Sequence, residues 1–175
     1  ADHPVIYAGQ GIHYAKAWKE LKELAEQWNI PVTTSIEGKR AFPEDHPLSL
    51  GSGGRANSRP VKRYLEESDL ILGLGVSFAL TAFGVPMPPG KKIIHATLDP
   101  MDLNKDVPAD IGLIGDAKLT LTALNSELSN ADNSKAAARA TEPEKINELK
   151  EEWMQEWLPK PVSYTHLRAH ETVMN

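Results

Sequence analysis

A glycine-rich turn, Gly9-Gln10-Gly11, is the first candidate for chemistry, and it follows the apolar run of residues 5–8. A helix-like segment comes next, and backbone N–H groups at a strand-to-helix junction can hold a phosphate. The spacing GxGxxxA, which ends at Ala15, is one residue longer than the dinucleotide-binding pattern GxGxxG. Two interpretations therefore stay open, a nucleotide-binding loop and a tight turn without a ligand.

An acidic residue, Glu37, lies just beyond the second apolar run, residues 31–34. In dinucleotide-binding folds, a carboxylate near the end of the second strand accepts hydrogen bonds from ribose hydroxyls. Glu37 is therefore a candidate for ribose binding, although a surface loop would also place a glutamate there.

Three further groups of polar residues have structural explanations. Glu44-Asp45-His46 combines two carboxylates with an imidazole, but the adjacent Pro43 and Pro47 indicate a solvated turn. His95 lies in an apolar run, which is typical of a core histidine, and His13 follows the glycine turn and is the better site candidate. No arrangement of Ser, His and Asp suggests a nucleophile, and no spacing of His, Asp and Glu suggests a metal cage.

Short β-rich runs alternate with longer helix-like segments, which is typical of βαβ units and a parallel sheet buried on both faces. Five strands are predicted at residues 5–8, 31–34, 69–75, 92–98 and 111–115, with room for a sixth. Helices are predicted at residues 15–28, from Ser58 onward, from Asp116 to 128, and at 142–158. Residues 36–54 are predicted to form a long loop, for which a binding or contact surface is expected and disorder is the alternative.

The composition of the chain changes after residue 128. Residues 129–140 contain no large apolar side chain, which predicts an exposed linker. We therefore divide the chain into a folded domain (1–128), a linker (129–141), a helix leading into a further domain (142–161) and a non-native tail (162–175). Residues 162–172 resemble a translated sequencing adaptor, so the pair His166 and His170 is given no functional weight. The chain is expected to be an excerpt of a longer polypeptide.

Composition excludes several function classes. The 175 residues carry a formal charge of -5 and no cluster of Lys and Arg, which disfavours nucleic-acid binding. There is no cysteine, which excludes disulfides and thiolate chemistry. No apolar run reaches the roughly 18 residues of a membrane span, and the start has no signal-peptide pattern. A cytoplasmic protein without a membrane partner is expected.

Several strings occur in an order that resembles the central domain of acetolactate synthase and related thiamine-diphosphate enzymes. Taken together, they cover about residues 4–128. The strings are Pro4-Val5-Ile6-Tyr7-Ala8-Gly9-Gln10-Gly11, Ile30-Pro31-Val32-Thr33-Thr34, Gly38-Lys39-Arg40-Ala41-Phe42-Pro43, Ser68-Asp69-Leu70-Ile71-Leu72-Gly73-Leu74-Gly75, Ile93-Ile94-His95 with Asp99-Pro100, and Gly115-Asp116-Ala117-Lys118.

The resemblance implies an open parallel six-stranded sheet with helices on both faces, which is an α/β fold. It also implies a nucleotide site in this domain, FAD in acetolactate synthase and ADP or nothing in other relatives. The matching positions would be Gly9, Gln10, Gly11, Ser35, Ile36, Glu37, Gly51, Gly75, Val76, Ser77, Gly115, Asp116 and Ala117. In three places this sequence departs from the flavin-binding pattern: Ser77 replaces an arginine, Thr97 replaces an acidic residue, and a His-Gly pair is replaced near Ala56 and Asn57.

For the complete protein, the resemblance implies thiamine diphosphate and Mg²⁺ as cofactors, a 2-oxo acid as substrate, and a homodimer or homotetramer. The residues that activate thiamine and bind its diphosphate would lie in other domains, so this chain alone is expected to be inactive, without catalytic or metal-binding residues. Alternatives left open are a non-catalytic module that binds FAD, ADP or NAD, and a purely structural domain.

Overall fold

The computed structural model describes residues 1–54, 57–82 and 84–159. The predicted tail with His166 and His170 lies outside this range, as does Ala56. Six strands are present: β1 (Pro4–Ala8), β2 (Val32–Thr34), β3 (Ser49–Ser52), β4 (Leu70–Leu74), β5 (Lys92–Thr97) and β6 (Ile111–Ile114).

The strands form one open sheet in the order β3-β2-β1-β4-β5-β6, and each neighbouring pair is parallel. This is the strand order of the doubly wound dinucleotide-binding fold. Strands β1 to β3 are added in sequence toward one side of the sheet, and β4 to β6 start again beside β1 and are added toward the other side. The predicted α/β fold with a parallel six-stranded sheet is confirmed. All five residues of β1 are buried, which explains why its sequence is almost entirely apolar.

Helices cover both faces of the sheet. They are α1 (Gly11–Tyr14), α2 (Trp18–Trp28), α3 (Arg59–Glu67), α4 (Ala117–Leu128), α5 (Ser134–Ala138) and α6 (Glu142–Trp157). Helix α2 packs against α4 and α5, whereas α3 packs against α6. The apolar face of α2 is buried at Leu21, Leu24, Ala25 and Trp28, while Trp18 is 43% exposed.

The helix predicted at residues 15–28 is divided in two. Lys16 adopts a left-handed backbone (φ 52°), and the chain then re-enters a helix at Trp18. The predicted helix end at residue 28 is confirmed, because Asn29 caps α2 in the left-handed conformation and its N–H donates to the Ala25 carbonyl. The break lets α1 complete the glycine turn while α2 packs independently on the sheet.

Strand β3 was not predicted as a strand, because it lies inside the long loop expected at residues 36–54. It has four residues, two of them serines and one a glycine, so its sequence has little β propensity. Leu48 and Leu50 are nonetheless 2% exposed, and their burial holds the segment against β2.

The segment expected to be an exposed linker, residues 129–140, contains α5 and a buried pair, Ala136 and Arg139. Helix α6 follows and buries Ile146 and Leu149 toward α3. Both segments therefore pack on the sheet domain rather than extending away from it. Whether a domain boundary falls at residue 128 stays a prediction.

Candidate functional site

A cleft of about 410 Å³ opens at the carboxyl edge of the sheet, beside the ends of β1, β4 and β5. This is the point where the strand order reverses, and loops leaving neighbouring strands in opposite directions create a crevice there. Volumes of this size are typical of small-molecule sites. The topology alone therefore makes this cleft the candidate site.

Three glycines build one wall of the cleft by letting two chain segments cross at close range. A Cβ on Gly9 would lie 2.6 Å from Val76 Cα, and one on Gly11 would lie 2.7 Å from Gly75 Cα. Gly75 has φ +59°, which also favours glycine. The contact is fixed by hydrogen bonds from Gly9 N to the Leu74 carbonyl (2.9 Å) and from Gly11 N to the Gly75 carbonyl (2.8 Å).

The glycine turn has few free donors for a phosphate. The N–H groups of Gly9 and Gly11 donate to the carbonyls at the end of β4 and just after it, and those of Ile12 and His13 donate to the Gly9 and Gln10 carbonyls. Close chain crossing, rather than a ligand, is thus sufficient to explain the glycines at these two positions.

At the start of α4, where the predicted positions Gly115, Asp116 and Ala117 lie, the helix N-terminus is occupied by a side chain of the protein. The Asp116 carboxylate accepts hydrogen bonds from Lys118 N (2.9 Å) and Leu119 N (3.1 Å). This confirms Asp116 as the helix cap. A negative charge on these N–H groups opposes the approach of another anion.

An aromatic pair forms the floor of the cleft. Tyr7 in β1 is 4% exposed and stacks on Phe78, with ring centroids 5.7 Å apart and planes at 14°. Phe78 also contacts the ring of His95 edge-on, at 4.8 Å. No residue in the described part of the chain hydrogen-bonds to the Tyr7 hydroxyl, although Tyr7 lines the cleft.

His95 contacts the aromatic pair from the protein interior. The side chain is fully buried in β5, and its Nε2 lies 2.6 Å from the Val76 carbonyl oxygen. Because a carbonyl can only accept, Nε2 carries the proton and donates it. The prediction that His95 is a core histidine agrees with this geometry.

Burial, with a smaller contribution from the Glu37 carboxylate, raises the pKa of the Tyr7 phenol to about 12. The phenol therefore keeps its proton throughout the neutral range. It can donate one hydrogen bond into the cleft and accept another there.

The charged side chains that line the cleft are all acidic among the described residues. Glu37, Asp99 and Asp102 line it, whereas no Lys or Arg does so among the residues with described positions. The Thr97 hydroxyl donates to Asp102 Oδ2 at 3.3 Å and accepts from Asp99 N at 3.3 Å. Ser35 Oγ likewise accepts from Gly38 N at 3.0 Å.

The predicted site residues divide into two sets. Those that line the cleft are Gln10, Gly11, Ser35, Glu37, Gly75, Val76 and Ser77. Gly9 supports the wall from behind, and Ile36, Gly51, Gly115, Asp116 and Ala117 lie outside the cleft lining. Gly51 belongs to β3, and the last three belong to the β6–α4 junction, so these residues are separated from the cleft by the sheet order.

Several lining residues were not singled out as site residues from the sequence: Tyr7, Phe78, Asp99 and Asp102. A signal was present for the two aspartates, because they directly follow β5, and the carboxyl ends of parallel strands meet at one edge. Tyr7 had a weaker signal, as the one hydroxyl in an otherwise hydrocarbon strand.

Two further histidines, His13 and His46, have partners within the fold. His13 Nδ1 accepts from Trp18 Nε1 at 2.9 Å, so its Nε2 donates to the Lys39 carbonyl, also at 2.9 Å. His46 Nε2 lies 3.1 Å from Glu26 Oε1 and joins the turn at residues 43–47 to α2. His13, the better site candidate from the sequence, therefore uses both ring nitrogens within the fold.

Two negative observations concern only residues 1–54, 57–82 and 84–159. They contain no group of three His, Cys, Asp or Glu side chains that could hold a metal ion. They also contain no helix with the length and apolarity that crossing a bilayer requires.

Residues 1–124 match the protein family described as thiamine pyrophosphate enzyme, central domain. The chain is 40% identical over 130 residues to a probable acetolactate synthase large subunit of Methanocaldococcus jannaschii, covering 73% of this chain and 22% of that protein. It is 41% identical over 120 residues to the acetolactate synthase large subunit of Buchnera aphidicola (subspecies Schlechtendalia chinensis), covering 67% and 21%.

A solved structure from Mycobacterium smegmatis, assigned to the thiamin diphosphate-dependent enzymes, superposes with a TM-score of 0.59 at 30% identity. The match covers 72% of this chain and 25% of that one. The chain thus spans about a fifth to a quarter of the length of these relatives.

Proposed function

Because the chain belongs to the thiamine pyrophosphate enzyme central domain family, we propose that it is the central part of an acetolactate-synthase-like carboligase or decarboxylase acting on 2-oxo acids. The observation that carries this proposal is the 40% identity over 130 residues to a probable acetolactate synthase large subunit. The complete enzyme would use thiamine diphosphate and Mg²⁺, work in the cytoplasm and form a homodimer or homotetramer.

The described residues do not fit thiamine diphosphate with its metal. Mg²⁺ needs several oxygen ligands in a near-octahedral arrangement, and no suitable group of three side chains is present in the described ranges. The cleft also offers no described Lys or Arg to a diphosphate. The thiamine chemistry is therefore assigned to other parts of the longer polypeptide, and this domain serves as their scaffold.

The cleft corresponds to the nucleotide position of the fold, for which FAD and ADP are the candidate ligands. Both carry a diphosphate, whereas the described lining contributes three carboxylates and no cation. The best-placed donors at the glycine turn and at α4 are already used within the protein. The cleft therefore fits the ribose and ring portions of these ligands better than their phosphates.

Two measurements test the proposed activity. The protein encoded by the complete gene is expected to release CO2 from pyruvate only when thiamine diphosphate and Mg²⁺ are both added, and its sequence should contain a Gly-Asp-Gly type thiamine motif after residue 161. The 175-residue chain alone should show no heat of binding when titrated with thiamine diphosphate and Mg²⁺. Micromolar binding to this chain, or a complete protein indifferent to thiamine diphosphate, would refute the proposal.

A further inference from the structure

The two edge strands of the sheet, β3 and β6, differ in how they are protected. The pairing of β3 with β2 contains a register shift, and the Leu50 side chain of β3 is buried. Strand β6 consists of Ile111-Gly112-Leu113-Ile114, pairs with β5 in unbroken register, and has no strand beyond it in the described part of the chain. It has none of the charges, prolines or bulges that commonly keep an edge from pairing. Strand β6 is therefore an edge that can accept a further strand.

The side chains of β6 are more exposed than is usual for a parallel sheet. Ile111 and Ile114 are 49% and 52% exposed, although strands of parallel sheets are normally covered on both faces. Two further apolar side chains next to the end of β6 are exposed: Leu98, which follows the β5 residue paired with Ile114, and Leu119 in the first turn of α4. Apolar side chains grouped along one edge of a fold indicate a protein contact surface.

The backbone of β6 has hydrogen-bonding groups that point away from the sheet. The Asp110 N–H donates to the Ile93 carbonyl of β5 at 2.9 Å. Because the N–H groups of successive residues in a strand point to opposite sides, those of Ile111 and Leu113 point away from β5. No strand in the described ranges lies on that side to accept from them. A strand added at this edge would pair with both residues.

The sequence around β6 is complementary to a second copy of itself. In an antiparallel pair with a two-fold axis at Gly112, Ile111 lies opposite Leu113 of the other copy, and both have outward-pointing backbone groups. This register places no two carboxylates opposite each other. An axis at Leu113 would instead place Asp110 opposite Asp116, and like charges directly opposite each other are destabilising. The charges therefore select one register.

We propose that β6 is a dimerisation edge, which pairs antiparallel with β6 of a second copy of this chain across a two-fold axis at Gly112. The two six-stranded sheets then form one continuous sheet, and the exposed isoleucines of both copies are covered. The inference rests on the proposed homo-oligomer and names one of its contacts. It assigns that contact to the central domain rather than to the parts of the polypeptide that carry the thiamine chemistry.

The first test is sedimentation equilibrium of the 175-residue chain, whose monomer mass is 19.2 kDa. A concentration-dependent dimer is expected. Ile111→Lys and Ile114→Lys each place an ammonium group in the contact and should weaken dimerisation about 10-fold or more. Both positions are half-exposed, so the two variants should keep the circular dichroism of the wild type.

The matched control is Leu158→Lys, which adds the same charge at a side chain of similar exposure, 56%. Leu158 ends α6, which packs against α3, and α3 packs against β3 at the other end of the sheet. This variant should keep the dimerisation constant of the wild type.

A second test determines the register. The chain has no cysteine, so each introduced thiol is unique. In a mixture of Ile111→Cys and Leu113→Cys chains the two thiols lie opposite each other, so a disulfide-linked heterodimer should form faster than either homodimer.

Three results would overturn the inference: a chain that stays monomeric up to millimolar concentration, a dimer that neither lysine variant weakens, or mixed disulfides that form no faster than the homodimers. None of them bears on the thiamine dependence of the complete enzyme, because that is measured by CO2 release. Failure of this inference and failure of the proposed activity are therefore separable.

Discussion

Two clefts lie at opposite edges of the same sheet, and they use charge differently. The carboxyl-edge cleft is the candidate site described above. The amino-edge cleft, about 350 Å³, lies beside the starts of β1 and β2 and is walled by α3 and α6. Its lining mixes cations and carboxylates, including Arg63, Arg139, Lys145 and Glu142.

At the amino edge, the polar groups bind one another. Glu142 is 7% exposed, and its carboxylate accepts from the Tyr64 hydroxyl at 2.9 Å and from Lys145 Nζ at 2.8 Å. Arg139 Nη2 donates to the Trp28 carbonyl at 2.9 Å, and burial lowers the pKa of this guanidinium. These contacts join α6 and the preceding segment to the sheet domain, so they stabilise the fold.

At the carboxyl edge, the carboxylates have no cationic partner in the described lining, and Tyr7 has no hydrogen bond there. The wall is held by backbone crossing instead of ion pairs. The comparison shows that many polar groups in a cleft do not by themselves make it a ligand-binding site. Groups that satisfy each other hold elements together, whereas groups left unsatisfied at a topological switch point are available to a ligand.

The largest expected loss of stability comes from a variant that disrupts the close backbone contact at the carboxyl edge. Gly9→Ala places a Cβ 2.6 Å from Val76 Cα, where backbone rather than a flexible side chain must move. We expect a loss of about 3 kcal/mol or more in the free energy of unfolding, measured by urea denaturation.

The control for that variant is Gly51→Ala. Gly51 has φ +94° but open space around its Cβ position, so alanine there meets backbone strain without a clash. The expected loss is about 1–2 kcal/mol. If Gly51→Ala proves more damaging than Gly9→Ala, the close crossing is not what holds this wall.

The next effect concerns the amino edge. Arg139→Ala removes a guanidinium that is 7% exposed and leaves the Trp28 carbonyl without its donor. The unfolding free energy should fall by about 2–3 kcal/mol. Arg63→Ala is the matched control, because the Arg63–Glu67 pair is exposed (58% and 63%) and such pairs contribute less than about 1 kcal/mol. Equal losses of unfolding free energy in the two variants would show that the burial of Arg139 does not contribute to stability.

Much of the fold followed from local pattern. The runs that became β1 and β4 are almost entirely apolar, and the end of α2 at Asn29 and the start of α4 at Asp116 have side chains suited to their caps. Such features are local, so they can be read along the chain without knowing what packs on them.

The features that the sequence did not reveal depend on tertiary contacts. Strand β3 has weak propensity and exists because Leu48 and Leu50 are buried. Arg139 is buried because Trp28, 111 residues away in sequence, presents a carbonyl to it. Likewise, whether Tyr7 is bonded or unbonded depends on residues from several loops. Part of the candidate site was predicted because strand ends converge, while its charge and its free hydroxyl required the folded structure.

The most direct test compares buried Tyr7 at the carboxyl edge with half-buried Tyr64 at the amino edge, by the unfolding free energies of Tyr64→Phe and Tyr7→Phe. Tyr64→Phe removes the donor to the Glu142 carboxylate and should cost about 1–2 kcal/mol. Tyr7→Phe removes a hydroxyl without a described partner and should change stability by less than about 0.5 kcal/mol, or raise it. A loss in Tyr7→Phe as large as that in Tyr64→Phe would contradict the claim that the carboxyl-edge hydroxyl is available to a ligand.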